Sequence, residues 1–162
     1  MIQPADLESR AEERDHLSLR LWLRLLSVTN LVQNHTRARL RRESSTTLAR
    51  FDLLAQLERS PAGLTMSQLS RRLMVTGGNV TRLTAQLEAE GFVARATPKA
   101  DRRVTAVRLK AAGRRAFAAM AVRHETWIVE TFSVLNEKER IQLYDLLAKL
   151  KHRAAAQIAA DA

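Results

Sequence analysis

Between Leu17 and Leu40 the apolar residues Leu21, Leu25, Val28 and Val32 recur at threes and fours, with Arg and Asn between them. That period puts one apolar stripe on a helix, so a long helix is expected here. The run RRESSTTL breaks the period, because Ser and Thr hydroxyls compete for backbone hydrogen bonds and favour caps. Leu48 to Leu57 then reads as a second helix, and Ser60-Pro61-Ala62-Gly63 as a turn. Beyond the turn, Thr65 and Gln68 have the spacing of a capping box, opening a short helix through about Leu73 with Leu69 and Leu73 inward. Thr76 is placed to cap the next helix, which carries Val80, Leu83 and Leu87 inward and is ended by Gly91.

Two short helices joined by a tight turn have helix-turn-helix geometry. Phe92 to Thr97 and Thr105 to Leu109 are strand-like, and the polar PKADRR between them predicts a hairpin with a basic tip. From Gly113 to about Leu135 the residues Phe117, Met120, His124, Ile128 and Phe132 predict another long helix. Asn136 and Glu139 box the start of a last one, with a stripe of Leu143, Leu146, Leu147 and Leu150. The expected fold is mainly α with a small β-hairpin wing. The tail after Arg153 is Ala-rich, and no internal repeat occurs.

Composition narrows the function. The 162 residues suit one compact domain, or a small domain flanked by long helices that need a partner to bury them. Lys and Arg number 27 against 17 acids, a formal charge of +10, which points to a polyanion: nucleic acid or an acidic membrane surface. There is no apolar run of membrane-spanning length and no apolar signal core, so a soluble, cytoplasmic protein is expected. Zero cysteines excludes disulfides, thiolate zinc sites and thiol switches. No phosphate-binding glycine loop, nucleophile elbow or metal triad is present, which argues against an enzyme. His16, His35, His124 and His152 are scattered without a close ligand pair, so neither a metal nor any other cofactor is expected.

The positive charge is concentrated. Pro61 to Lys110 holds nine Lys or Arg against three acids. The helix after Thr76 turns Thr76, Gly77, Asn79, Thr81 and Arg82 outward, short donors and acceptors with one long cation, which suit base edges and phosphates. Gly77 and Gly78 in its first turn let the backbone approach something closely. Arg95 on the first strand, with Lys99, Arg102 and Arg103 at the tip, extends the basic surface, and an Arg on a wing suits a narrow minor groove. Asp101 among them is placed to hold one arginine by a charge-assisted pair. The plain alternative is a solvated basic surface.

The segment LTMSQLSRRLMVTGGNVTRLTAQLEAEGFVARATPKADRRVTAVRLKAAG resembles the winged helix-turn-helix of MarR-family transcriptional regulators. Asp101, Arg103, Val107, Leu109 and Gly113 match that family's D-x-R-x-x-x-V-x-L-x-x-x-G wing pattern, and TGGNVTRLTAQLEAEGFVAR matches its recognition-helix segment. The resemblance runs from about Leu17 to Arg153. It implies N-terminal dimerisation over residues 17–45, a DNA-binding domain over 46–112 and C-terminal dimerisation over 113–155. It further implies a homodimer on a palindromic double-stranded operator, with Thr76, Asn79, Thr81 and Arg82 in the major groove. Arg103 would enter the minor groove, positioned by Asp101. The family usually represses genes beside its own.

Such regulators commonly bind a small anionic, often aromatic, effector between the DNA-binding lobe and the dimer helices. Trp22, Arg24, Asn30, His35 and Arg37 on the first helix, with Arg50 and Phe51 on the second, are the candidates, since an arginine beside an aromatic suits a carboxylate on a ring. The alternative is that Trp22 and Phe51 are core and the arginines form surface or interface ion pairs. The segments LWLRLLSVTNLV and TTLARFDLLAQLERSPAGL, followed by LMVTGGNVT, are further similar to the branch repressing aromatic-acid catabolism, including regulators released by hydroxycinnamoyl-CoA thioesters. For such a ligand's phosphates Arg37, Arg39, Arg41 and Arg42 are available, though the same cluster suits DNA phosphates or solvent. A second hypothesis is an architectural DNA-binding protein of low sequence specificity, which the net charge alone would support.

Overall fold

A computed structural model of the chain describes residues 16–96 and 106–160. Among them are six helices and three strands: α1 (His16–Ser44), α2 (Leu48–Glu58), β1 (Leu64–Thr65), α3 (Met66–Leu73), α4 (Gly77–Ala89), β2 (Val93–Ala96), β3 (Ala106–Leu109), α5 (Ala111–Phe132) and α6 (Glu137–Ala160). The fold is mainly helical with a small antiparallel sheet, as the periodicity predicts. The chain divides into two compact units after Arg123, within α5. No described helix is long and apolar enough to cross a membrane.

In the first unit α1 runs four residues past Leu40. It ends where Ser45 takes a left-handed φ of 48° and Thr46 N–H bonds the Leu40 carbonyl at 3.2 Å. Thr47 caps α2, its hydroxyl accepting from Arg50 N. This helix buries Phe51, Leu53, Leu54, Ala55 and Leu57, apolar on nearly every side, as a central helix must be. The predicted capping box is present at α3: Gln68 N bonds the Thr65 hydroxyl at 3.2 Å, and Thr65 N bonds the Gln68 side chain at 2.9 Å. Leu69 below it is fully buried. Met74 then turns the chain in the left-handed region, and Ser70 Oγ donates to the Val75 carbonyl at 2.6 Å, tightening the turn. On α4, Val80, Leu83 and Leu87 are buried as expected, and Gly91 at φ 75° ends the helix.

The sheet contains one strand the periodicity does not predict. Residues Leu64 and Thr65 form β1, pairing with Val107 and Ala106 of β3, while β2 pairs on the other side of β3 from Val93↔Leu109 to Ala96↔Ala106. Two residues are too short to show an alternation. The expected strand ends Thr97 and Thr105 lie outside the described residues. Arg108 Nε donates to the Ala62 carbonyl at 2.7 Å, fastening the Ser60–Gly63 turn to β3. A Cβ on Gly63, which has φ 90°, would stand 2.8 Å from the Val107 carbonyl oxygen. At Gly113 it would stand 2.1 Å from the Phe92 carbonyl oxygen, so only glycine lets the first turn of α5 rest on the start of the wing.

The second unit begins at His124. Met120 before it and Trp127 within it are buried, while the other expected inward residues of α5 (Phe117, His124, Ile128 and Phe132) are half-buried. Burial thus steps from Met120 to Trp127, two turns on, a position the predicted spacing passes over. His124 meets the Trp127 ring edge-on at 6.3 Å, and burial holds its pKa below the ordinary histidine value. Asn136 and Glu139 exchange the predicted reciprocal bonds, at 2.9 and 3.0 Å, opening α6. Glu137 and Glu139 in its first turn complement the helix dipole. The Leu stripe of α6 leaves Leu146, Leu147 and Leu150 exposed.

Candidate nucleic-acid interface

The inward anchors of α4 turn its opposite face to solvent. Thr76, Gly77, Gly78, Thr81 and Arg82 are exposed and Asn79 half so. Thr76 holds the N-cap position with extended backbone, but its side chain makes no capping hydrogen bond, unlike Thr65 and Thr47. The sequence expectation of a capping Thr76 is therefore corrected: the position is right and the bond is absent. The consequence is chemical, because uncapped first-turn N–H groups at the positive end of a helix dipole suit an incoming anion. Along the same face Thr81 Oγ1 donates to the Gly77 carbonyl at 2.9 Å, and Arg82 Nη2 donates to Asn79 Oδ1 at 3.1 Å. These bonds fix rotamers while leaving acceptor sites on Thr81 and further N–H groups on Arg82.

Gly77 and Gly78 differ from Gly63 and Gly113. A Cβ at either would meet nothing within 4 Å. Nothing within the described chain requires their bareness. Beside Gly77 an open groove of about 500 Å³ runs between α3 and α4, lined by Met66, Ser67, Ser70, Arg71, Gly77 and Thr81. Ser67 and Arg71 were not among the residues expected from the sequence. Their signal was available, since each lies two residues from inward Leu69 and hence on the opposite face of α3.

Arg95 on β2 is exposed, and its Nε lies 3.3 Å from Glu88 Oε2 while its backbone N–H bonds Glu88 Oε1. Strand β2 and helix α4 are thus joined through one carboxylate. Lys99, Asp101, Arg102 and Arg103 lie outside the described residues.

The seven residues proposed for an effector are not brought together. Trp22 is 58% exposed on α1, and Asn30 and His35 are also exposed. Phe51 is buried with its ring 5.4 Å from that of Phe117. Arg24 lies on the same exposed stretch of α1 as Trp22. Arg37 bonds Gln33 and Asn34 and lines a cavity of about 280 Å³ with Asp52, whose carboxyl is held above the ordinary carboxylate pKa by burial against the lowering charges of Arg59 and Arg37. Arg50 lines a different cavity, of about 370 Å³, where it pairs with Glu90. Glu90 and Arg123 in that cavity were not nominated. Arg50 and Glu90 are 40 residues apart, beyond any local spacing.

Residues 44–104 match the family model described as MarR family. An uncharacterised helix-turn-helix-type transcriptional regulator of Bacillus cereus is 34% identical over 134 residues, covering 82% of this chain and 88% of that protein. Among solved structures, a MarR family transcriptional regulator from Silicibacter pomeroyi superposes with a TM-score of 0.73 at 29% identity, covering 89% of this chain and 99% of its own. Sco3205 of Streptomyces coelicolor, a MarR family regulator solved in complex with DNA, shares the fold with a TM-score of 0.73 at 20% identity, covering 88% and 94%. The chain belongs to the MarR family of winged helix-turn-helix, DNA-binding transcriptional regulators, which are not enzymes.

Proposed function

We propose that this regulator is a homodimeric repressor of a palindromic operator, released by a small anionic effector. In this reading Thr76, Gly77, Asn79, Thr81 and Arg82 face the major groove, with Ser67 and Arg71 beside them. Arg95, Lys99 and Arg102 meet the backbone, and Arg103, held by Asp101, enters the minor groove. The observation that carries it is the outer face of α4: uncapped, exposed, and bare at Gly77 and Gly78 where the chain itself leaves room for side chains. A surface kept bare towards solvent suits close approach of a duplex. Residues 17–45 and 113–155 supply the dimer contacts, a role supported by exposed Leu17, Leu21, Leu26 and Leu31 on α1 and Leu146 and Leu150 on α6. The two-fold symmetry then places the recognition helices about 34 Å apart.

The test is selection of bound duplexes from a random pool by the full chain, followed by transcription from a promoter carrying the selected site. A two-fold symmetric site whose occupancy lowers transcription is expected. Selection without a consensus would favour the architectural alternative, and raised transcription would make the protein an activator.

A further inference from the structure

Glu88 stands in the last turn of α4, where a negative charge opposes the helix dipole. It also repels the phosphates of a duplex on the helix that faces them, so two electrostatic effects work against it. What it gains is tertiary. In the sheet order β1-β3-β2 the strand β2 is an edge, and outward N–H groups of an edge strand have no ladder partner. At Arg95 the N–H bonds Glu88 Oε1 at 3.3 Å, while Glu88 Oε2 lies 3.3 Å from Arg95 Nε. One carboxylate therefore holds both the backbone and the guanidinium of a single residue, and neither bond uses the Nη groups of Arg95. Between the two residues the chain turns at Gly91, with φ 75°, and Phe92 N–H bonds the Leu87 carbonyl at 2.9 Å. Glu88 adds a second tie between α4 and β2 beyond that turn.

The side chains of Arg95 and Glu88 are 40% and 39% exposed, and an ion pair so open to water contributes little to stability. Its effect is on geometry. We infer that Glu88 is a positioning residue for DNA reading: it fixes Arg95 with the Nη groups left for a backbone phosphate, and it sets β2 against α4 so that both meet the duplex together. The inference rests on the reading that α4 and the basic wing engage one operator, and it names the residue that couples them. A strand held in place beforehand loses less freedom on binding than one the duplex must order. At the operator both surfaces engage at once, whereas non-specific binding needs only cations near phosphates. Loss of the tie therefore weakens operator binding and spares binding to an unrelated duplex.

The test is fluorescence anisotropy with the full chain on the selected operator and on a scrambled duplex of equal length, at one salt concentration. Glu88→Gln should weaken operator binding by about tenfold while affinity for the scrambled duplex holds or rises, because a negative charge has gone from the surface. Arg95→Ala should also weaken operator binding by about tenfold, and adding Glu88→Gln to it should lower operator affinity by no more than about twofold further, since the two act as one unit. Tighter binding of both duplexes by Glu88→Gln would make Glu88 a repelling charge only and overturn the inference. Weaker binding of both, with Tm lowered by more than about 5 °C, would make it a structural residue and overturn it equally. Fully additive losses in the double variant would separate Glu88 from Arg95 and do the same. A wild-type protein that binds both duplexes equally rejects the operator reading itself, whereas a wild-type preference kept intact in Glu88→Gln rejects this inference alone.

Discussion

In the lobe built from α2, α3, α4 and the sheet, Leu53, Leu54, Leu57, Leu69, Val80, Leu87, Val93 and Val107 are buried almost completely. On α1 and α6 residues of the same kind face outward: Leu17 is 70% exposed, Leu146 54% and Ile158 70%. Burial of one leucine is worth about 1.5–3 kcal/mol, so the lobe covers most of its apolar residues within one chain, while the outward apolar faces of α1 and α6 stay uncovered. On the function proposed above, the self-sufficient part would read DNA and the incomplete part would meet a second copy of the chain.

Breaking that division at the helices should have the largest effect. Leu146→Asp with Leu150→Asp is expected to halve the mass seen by light scattering and to weaken operator binding by about a hundredfold or more, because one half-site alone must then hold the protein. The lobe should keep its fold, and an unchanged mass would remove α6 from the interface. Next, Gly113→Ala forces a Cβ onto the Phe92 carbonyl and should cost about 3 kcal/mol or more in denaturant unfolding. Gly78→Ala sharpens the contrast, since the chain leaves room there and alanine favours helix by up to about 1 kcal/mol. Stability should hold or rise while operator affinity falls about tenfold by fluorescence anisotropy, the added methyl meeting the duplex. Equal affinity would mean that the first turn of α4 does not approach DNA closely.

The smallest effect concerns Asp52. Burial raises its folded pKa above the unfolded value, so its contribution to stability is present below the unfolded pKa of 3.8 and is lost as pH rises through the folded one. At pH 7 the carboxylate therefore opposes folding. Asp52→Asn should raise Tm at pH 7 by roughly 1–3 °C, with no gain below the unfolded pKa. A variant that melts lower at pH 7 would show that the charge is compensated by Arg37 and Arg59.

The sequence was most legible where a signal is local. The boxes at Thr65 with Gln68 and at Asn136 with Glu139 are three-residue spacings, and both form. The inward face of α4 follows from period alone. What escaped depends on partners far along the chain: β1, which exists only by pairing with β3, and the Arg50–Glu90 pair. Gly113 was visible as part of a family pattern, but its reason is the Phe92 carbonyl, which only folding brings near. Thr76 shows the opposite failure, a local signal whose bond is absent.

Sequence-specific operator binding is measured by the affinity for the selected operator and for a scrambled duplex of equal length, by fluorescence anisotropy at one salt concentration. A preference of about 10³ or more for the operator is expected, lost in the Leu146→Asp, Leu150→Asp variant. Equal affinity of the wild-type protein for both duplexes would contradict it.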